Sequence, residues 1–237
     1  LNKMELASHV VSLPDEEMPV VFTPKAAGTL VSPIMTALSG KHVQKGSSIL
    51  ADKKGECIVD EKFFIYDDPT VPLAPGTGPH DDEGVPANPY ALLKNGTVEN
   101  FMLDLQTAAL LGMSPTANGY RSYRSQPSPS ASNTIVSAGN TSYEDIIGGM
   151  ERGLIVDQTL GSGQSNTLAG EFSVNVSLGF LVEDGEIQGR VKDCMVAGNV
   201  YELLSNVEGI GKKRKWVGSD YMPAICVSGI KPAVNSG

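Results

Sequence analysis

The chain is short of the side chains that most metal and redox sites need. It has three histidines and three cysteines in 237 residues. His9, His42 and His80 contain no pair at a helical i, i+4 spacing, so no zinc-binding helix is written out. Cys57, Cys194 and Cys226 are an odd, scattered set with no CxxC, which fits a reduced, cytoplasmic protein rather than a disulfide scaffold. Cys194 and Cys226 lie in apolar strand patterns and read as inert buried thiols. Serines are plentiful, yet no GxSxG elbow occurs. Gly161-Ser162-Gly163 and Gly209-Ile210-Gly211-Lys212 complete neither a Walker loop nor a dinucleotide fingerprint. No apolar run approaches the roughly 18 residues of a spanning helix, and no signal peptide is visible. Positive charge is scarce: the net charge is −9, which argues against direct nucleic-acid or anionic-membrane binding. The one basic run, Lys212-Lys213-Arg214-Lys215, reads as a solvated, glycine-flanked loop.

What is present is enough apolar residue for a sizeable core, 41%, with 26 glycines and 15 prolines to make many turns. The chain is organised around Gly170 to Val207. Phe172, Val174, Val176, Leu178, Phe180 and Val182 alternate with smaller or polar residues, and period two puts all six on one face of a strand. Asp184-Gly185 marks a hairpin, Ile187 to Ala197 returns as the second strand, and Gly198-Asn199 opens a helix through Leu204. This hairpin is too apolar to stay solvated, so elements beside it are expected to form a dimer contact.

Strands are also expected over 7–13, 19–22, 56–66, 134–137, 153–160 and 224–230, and a second hairpin turns at Asn95-Gly96. Thr23-Pro24 starts a helix that runs to Leu38, kinked or split at Pro33. A short helix follows Ser142. Asp67 to Pro89 is a long irregular stretch holding six of the fifteen prolines. Its carboxylates, with His80-Asp81-Asp82-Glu83 the densest group, offer oxygens that calcium or magnesium accept. EF-hand spacing is absent, and the run reads instead as caps for turns. A Ser/Pro/Asn-rich loop covers 114–132. The fold class is α+β: hairpin-rich, mainly antiparallel sheets with a few packed helices.

Several phrases, in order and spread over nearly the whole chain, resemble the C-terminal domain of the TldD/PmbA family, once called modulators of DNA gyrase. They are Pro19-Val20-Val21-Phe22, Asp67-Asp68-Pro69-Thr70, Asp81-Asp82-Glu83-Gly84-Val85-Pro86, the Leu93-to-Asp104 hairpin, Ala117-Asn118-Gly119-Tyr120-Arg121, Gly170-Glu171-Phe172-Ser173, and Gly185-Glu186-Ile187 with Ala197-Gly198-Asn199. Single phrases are unspecific; the set is specific. Family members are roughly double this length, and the start at Leu1 fits a chain without their N-terminal domain.

The resemblance implies a zinc peptidase in the TldD branch, with HExxxH on a helix and a distal cysteine. Here the corresponding helix is Thr29 to Gly40. Val31 and Thr36 fall at the histidine positions and Ser32 at the glutamate; no Cys-Gly-Lys phrase occurs, and Cys226 lies beyond its place. The chain therefore resembles the PmbA (TldE) branch, a metal-free subunit with no catalytic residue or cofactor of its own. Zinc is expected in an HExxxH paralogue that forms a heterodimer with it and cleaves unfolded peptides, in maturation of a microcin leader and in antitoxin turnover. Asp81, Asp82, Glu83 and Arg121 are candidate structural or interface residues. Two alternatives stand beside this: a homodimeric peptidase with an unrecognised metal site near His80 to Glu83, and a binding protein that acts on gyrase indirectly.

Overall fold

A computed structural model describes residues 3–161 and 165–234; Leu1, and Ser162 and Gly163 of the Gly/Ser turn, lie outside the described residues. In chain order the elements are α1 (Lys3–Ser8), β1 (Met18–Phe22), α2 (Gly28–Ala37), α3 (Gly40–Gln44), β2 (Ile65–Asp67), β3 (Tyr90–Lys94), β4 (Thr97–Val98) and α4 (Leu105–Leu111). They continue with β5 (Gly119–Tyr120), β6 (Ser128–Pro129), β7 (Thr134–Val136), α5 (Tyr143–Gly148), β8 (Arg152–Leu160), β9 (Glu171–Glu183) and β10 (Glu186–Val191). β11 (Cys194–Asn199), α6 (Val200–Leu203), β12 (Val207–Val217), β13 (Asp220–Ile230) and β14 (Ala233–Val234) complete the chain. None of the described helices is long and apolar enough to cross a membrane.

Twelve strands form one sheet, in the order β14-β11-β9-β8-β1-β13-β7-β2-β3-β4, with β10 also paired to β9 and β12 to β13. β1–β8 and β13–β7 are parallel and the other named pairs antiparallel, so the fold is α+β and mainly antiparallel. Strand alternation divides the core between the two faces of this sheet. Val20, Phe22, Leu154, Val156, Ile225 and Val227 belong to the larger cluster with Leu30 and Ile34 of α2. Val21, Ile155, Ala224 and Cys226 belong to a smaller one with Ile146 and Ile147 of α5.

β9 corrects the single-face reading. Phe172, Val174 and Val176 join the larger cluster, whereas Phe180 and Val182 join the smaller. The β8–β9 ladder shifts register between Val156 and Thr159, opposite Leu178 and Gly179. One extra residue in a ladder turns every later side chain to the other face. A Cβ at Gly179 would lie 2.7 Å from Val176 Cγ1 and 2.9 Å from the Ile155 carbonyl, so the crossing needs glycine.

Other expectations also change. Residues 7–13 end α1 and then make only a bridge from Val10 to Arg190. The strand expected over 56–66 forms only at Ile65–Asp67; Phe63 N–H bonds to the Asp60 carbonyl in a turn, and Val59 and Phe63 enter the core from irregular backbone. β10 and β11 are separate strands, broken by Asp193 at φ 50. The basic run is not a loop but part of β12. Pro24 to Ala27 make turns on the Thr23 carbonyl, and α2 starts at Gly28 and passes Pro33 unbroken. The Asp184-Gly185 and Asn95-Gly96 turns form, with all four residues at positive φ.

Candidate functional site

α2 has two faces. Leu30, Val31, Ile34 and Ala37 are buried in the core. Ser32 is exposed, and Thr29, Met35 and Thr36 are half-buried. The Thr36 hydroxyl donates to the Ser32 carbonyl at 2.8 Å, and the Thr29 and Thr159 hydroxyls lie 3.4 Å apart. Ser32 and Thr36 line two neighbouring cavities of about 460 Å³ each, so the hydroxyl face of α2 is the wall common to both. One cavity also takes in Met35, Met102 and Met222, with Lys41, His42 and Asp220. The other takes in Lys25, Thr159, Thr167 and Phe172. Burial raises the Asp220 carboxyl above its ordinary range, against the lowering effect of a Thr134 hydrogen bond.

Zinc requires imidazole, thiolate or carboxylate donors. Val31, Ser32 and Thr36 supply none, and Val31 is 1% exposed with its side chain in the core. These residues do not fit the metal. Cys226 cannot help, because it belongs to the cluster on the opposite face of the sheet. Its Sγ lies 3.8 Å from Glu208 Oε2, and burial, with that carboxylate, pushes the thiol up to about 12. Burial takes Cys194 to about 11, and Cys57 is exposed. No group of three His, Cys, Asp or Glu among the described residues is placed to hold a metal ion.

The carboxylates of the 67–89 stretch have other work. Asp67, 1% exposed, accepts from Ser132 N–H (2.9 Å), Ser132 Oγ (2.6 Å) and Asn133 N–H (3.0 Å) through Oδ1, and from Asn118 Nδ2 (2.6 Å) through Oδ2. Burial outweighs these four bonds and raises its pKa. Asn118 Oδ1 in turn accepts from the Tyr90 and Thr116 hydroxyls, both at 2.6 Å. Asp81 accepts from Glu83 and Val85 N–H through Oδ1 and from Gly119 N–H through Oδ2. Asp82 accepts from Arg121 N–H, and Glu83 from Leu105 N–H at the start of α4. Asn133 Oδ1 accepts from Gly76 N–H while its amide donates to the Asp68 carbonyl. His80 Nδ1 lies 2.9 Å from the Asp81 carbonyl.

Asp81, Asp82 and Arg121 are thus brought together by backbone bonds that fasten the 67–89 loop to the 117–133 loop, while Glu83 ties the same loop to α4. They do not meet Val31, Ser32 and Thr36 in any of these bonds. The hinge residues of this network, Asn118 and Asn133, are both fully buried. Sequence reasoning passed over Asn133 because asparagine in a polar, proline-rich loop carries no periodic signal; Asn118 entered only inside a family phrase.

Against known proteins, the family model for the PmbA/TldA metallopeptidase C-terminal domain matches residues 15–233. A metalloprotease of Methanothermobacter thermautotrophicus is 34% identical over 84% of this chain and 43% of its own length. A TldD metalloprotease homologue of Haemophilus influenzae is 32% identical over 86% of this chain and 42% of its own. The crystal structure of TldE from Thermococcus kodakarensis superposes with a TM-score of 0.90 at 36% identity, covering 98% of this chain and 53% of that one. The chain spans about half the length of the relatives it matches.

Proposed function

The chain belongs to the PmbA/TldD metallopeptidase family, as a C-terminal domain of that family, and on that footing we propose that it is a metal-free, non-catalytic subunit that shapes the peptide channel of a family peptidase. One observation carries this reading. α2, the helix that the resemblance sets against the HExxxH motif, carries Val31, Ser32 and Thr36, and its hydroxyl face lines open cavities. Such a surface suits an extended, unfolded peptide. Hydroxyls exchange hydrogen bonds with free backbone groups, and methionines adapt to varied side chains. The catalytic zinc and general base then come from an HExxxH paralogue in a cytoplasmic heterodimer, with a homodimer forming when the chain is alone.

The reading of a self-sufficient metal site at His80 to Glu83 has little support, because oxygens of all three carboxylates there are engaged with backbone N–H groups. Direct action on DNA is disfavoured by the net charge of −9.

The test is elemental analysis of the purified chain, then a cleavage assay on an unfolded peptide with the paralogue added. No stoichiometric zinc is expected in this chain. Cleavage should survive Ser32→Ala here and vanish when the paralogue's motif glutamate is removed. One zinc per chain, or cleavage by this chain alone, overturns the proposal.

A further inference from the structure

The basic run of β12 divides between the two faces of its hairpin. Arg214 belongs to the fold: its guanidinium lies 4.4 Å from the centre of the Tyr221 ring and donates to the Val136 carbonyl at 3.3 Å. Trp216, directly opposite Tyr221, stacks on the same ring at 4.7 Å. Lys215 takes the other face. Neighbours along a strand alternate, and residues directly opposite in an antiparallel pair share a face. Lys215 stands opposite Met222 and Val217 opposite Asp220, and Met222 and Asp220 line the α2 groove. Lys215 is therefore an exposed cation on the groove side of the β12–β13 hairpin.

Other cations reach the same groove. Lys41, beside His42, lines one of its cavities and Lys25 the other. α3, which carries Lys41, is pinned in place: Gly40 N–H donates to the Met102 carbonyl at 2.7 Å, and a Cβ on Gly40 would lie 2.5 Å from Leu103 Cδ2. Among the described residues, Lys25, Lys41 and Lys215 make no ion pair. Asp220 is the one described carboxylate lining either cavity, and a Thr134 hydrogen bond engages it. Elsewhere the balance is reversed. The chain has 27 acidic residues against 18 Lys and Arg. A cavity of about 640 Å³ beside α5 is lined by five carboxylates and Arg152. Another, of about 600 Å³ between α1 and α5, has Glu144, Asp157 and Glu186 and no cation among its described lining residues. Positive charge is thus gathered at the groove of a chain that is acidic elsewhere.

We propose that the α2 groove takes unfolded peptide segments rich in aspartate and glutamate, with Lys25, Lys41 and Lys215 meeting the carboxylates and Met35, Met102 and Met222 the apolar side chains between them. This rests on the peptide-channel reading above. Charge complementarity names the occupant: ammonium groups without partners of their own along a groove favour carboxylates and repel lysine-rich segments. The methionines adapt to whichever apolar side chain lies between the acids.

Fluorescence anisotropy of the full chain, alone and with the HExxxH paralogue, tests this. Three labelled unfolded peptides share length and apolar residues and differ in carrying glutamates, glutamines or lysines. The glutamate peptide should bind about tenfold more tightly than the glutamine one and the lysine peptide least, with the gap closing as salt is added. Lys41→Gln and Lys215→Gln should each cut the preference about threefold with Tm unchanged, since both side chains are exposed. Lys231→Gln removes the same charge beyond the far end of β13, at the pair with Asp15, and should leave the preference intact. Equal binding of the glutamate and glutamine peptides overturns the acidic selectivity and leaves the channel reading standing. A preference that survives both groove variants, or falls as far in Lys231→Gln, overturns its place in the groove. Binding of no peptide, by the chain alone or with the paralogue, overturns both readings. A single-stranded oligonucleotide that displaces the glutamate peptide and binds more tightly assigns the groove to nucleic acid and overturns the proposal.

Discussion

Asp67→Ala would remove the buried carboxylate on which the two long loops converge. Four donors lose their acceptor: the Ser132 and Asn133 N–H groups, the Ser132 hydroxyl and the Asn118 amide. A buried donor left unsatisfied costs about 1–3 kcal/mol, and the four are one unit whose costs do not simply add. Water entering the vacated space would satisfy some of them, so we expect a total of about 3–5 kcal/mol. Against a total stability of about 5–15 kcal/mol, that is a large loss. Urea unfolding at pH 7 should show it as a midpoint lowered by about 1–2 M.

Asp67→Asn separates charge from shape. It keeps an oxygen for Ser132 and Asn133 but turns an amide against the Asn118 amide, and should cost about 1–2 kcal/mol. Its pH dependence has a definite sign. The folded carboxyl is raised above 3.8 by burial, so the folded state holds the proton more tightly than the unfolded one. Stability from Asp67 is then fully present below pH 3.8 and is lost as pH rises through the folded pKa. The advantage of wild type over Asp67→Asn should narrow upward from that pH. An Asp67→Ala loss under about 1 kcal/mol, or a gap that widens with pH, refutes the reasoning.

The neighbouring carboxylates should differ sharply from one another. Asp81 is 2% exposed and accepts three backbone N–H bonds, so Asp81→Ala should cost about 2–4 kcal/mol in thermal or urea unfolding. Asp82 is exposed and accepts one, so Asp82→Ala should stay within about 1 kcal/mol; equal losses would contradict the network. Thiol titration with Ellman's reagent at pH 8 should find one fast cysteine, Cys57, in the native chain and three after unfolding. Cys194 and Cys226 are buried, with pKa values near 11 and 12. A second fast thiol in the native chain would contradict the strand packing.

Elements whose signals are local were legible in the sequence. Asp184-Gly185 and Asn95-Gly96 demand positive φ and formed their turns, and Ser142 caps α5 by accepting from Asp145 N–H. The elements that failed depend on distant partners. Ile58, Val59 and Phe63 have a strand pattern, but the stretch makes only isolated bridges to β4, Lys54 to Val98 and Cys57 to Thr97, before the chain turns from Asp60 to Phe63. Alternation in β9 was read correctly along the strand and wrongly in space, because its face is reset by a register shift in the ladder with β8. The basic run becomes strand because β13 offers it a neighbour, with Arg214 lying 4.4 Å from the centre of the Tyr221 ring. For the site, a helix ending near Leu38 was legible from local signals, and it forms as α2 (Gly28–Ala37). The Asp67–Asn118 clamp was not, since its members lie 51 residues apart in irregular chain.

The packing of α2 separates the positions that hold it in the fold from those that face the groove. Its anchorage lies on the inner face, where Leu30, Ile34 and Ala37 are fully buried. Ser32 and Thr36 lie toward the groove, and exchanges on an exposed face usually alter stability by no more than about 0.5 kcal/mol. Those two positions are therefore nearly free to follow function. Val31 is different. At 1% exposure it is a core residue, and a histidine there would bury an imidazole that needs its own hydrogen-bond partners. The valine ties this position to the core. A Val31→His substitution should therefore destabilise the fold, whereas Ser32→Ala should leave it within about 0.5 kcal/mol.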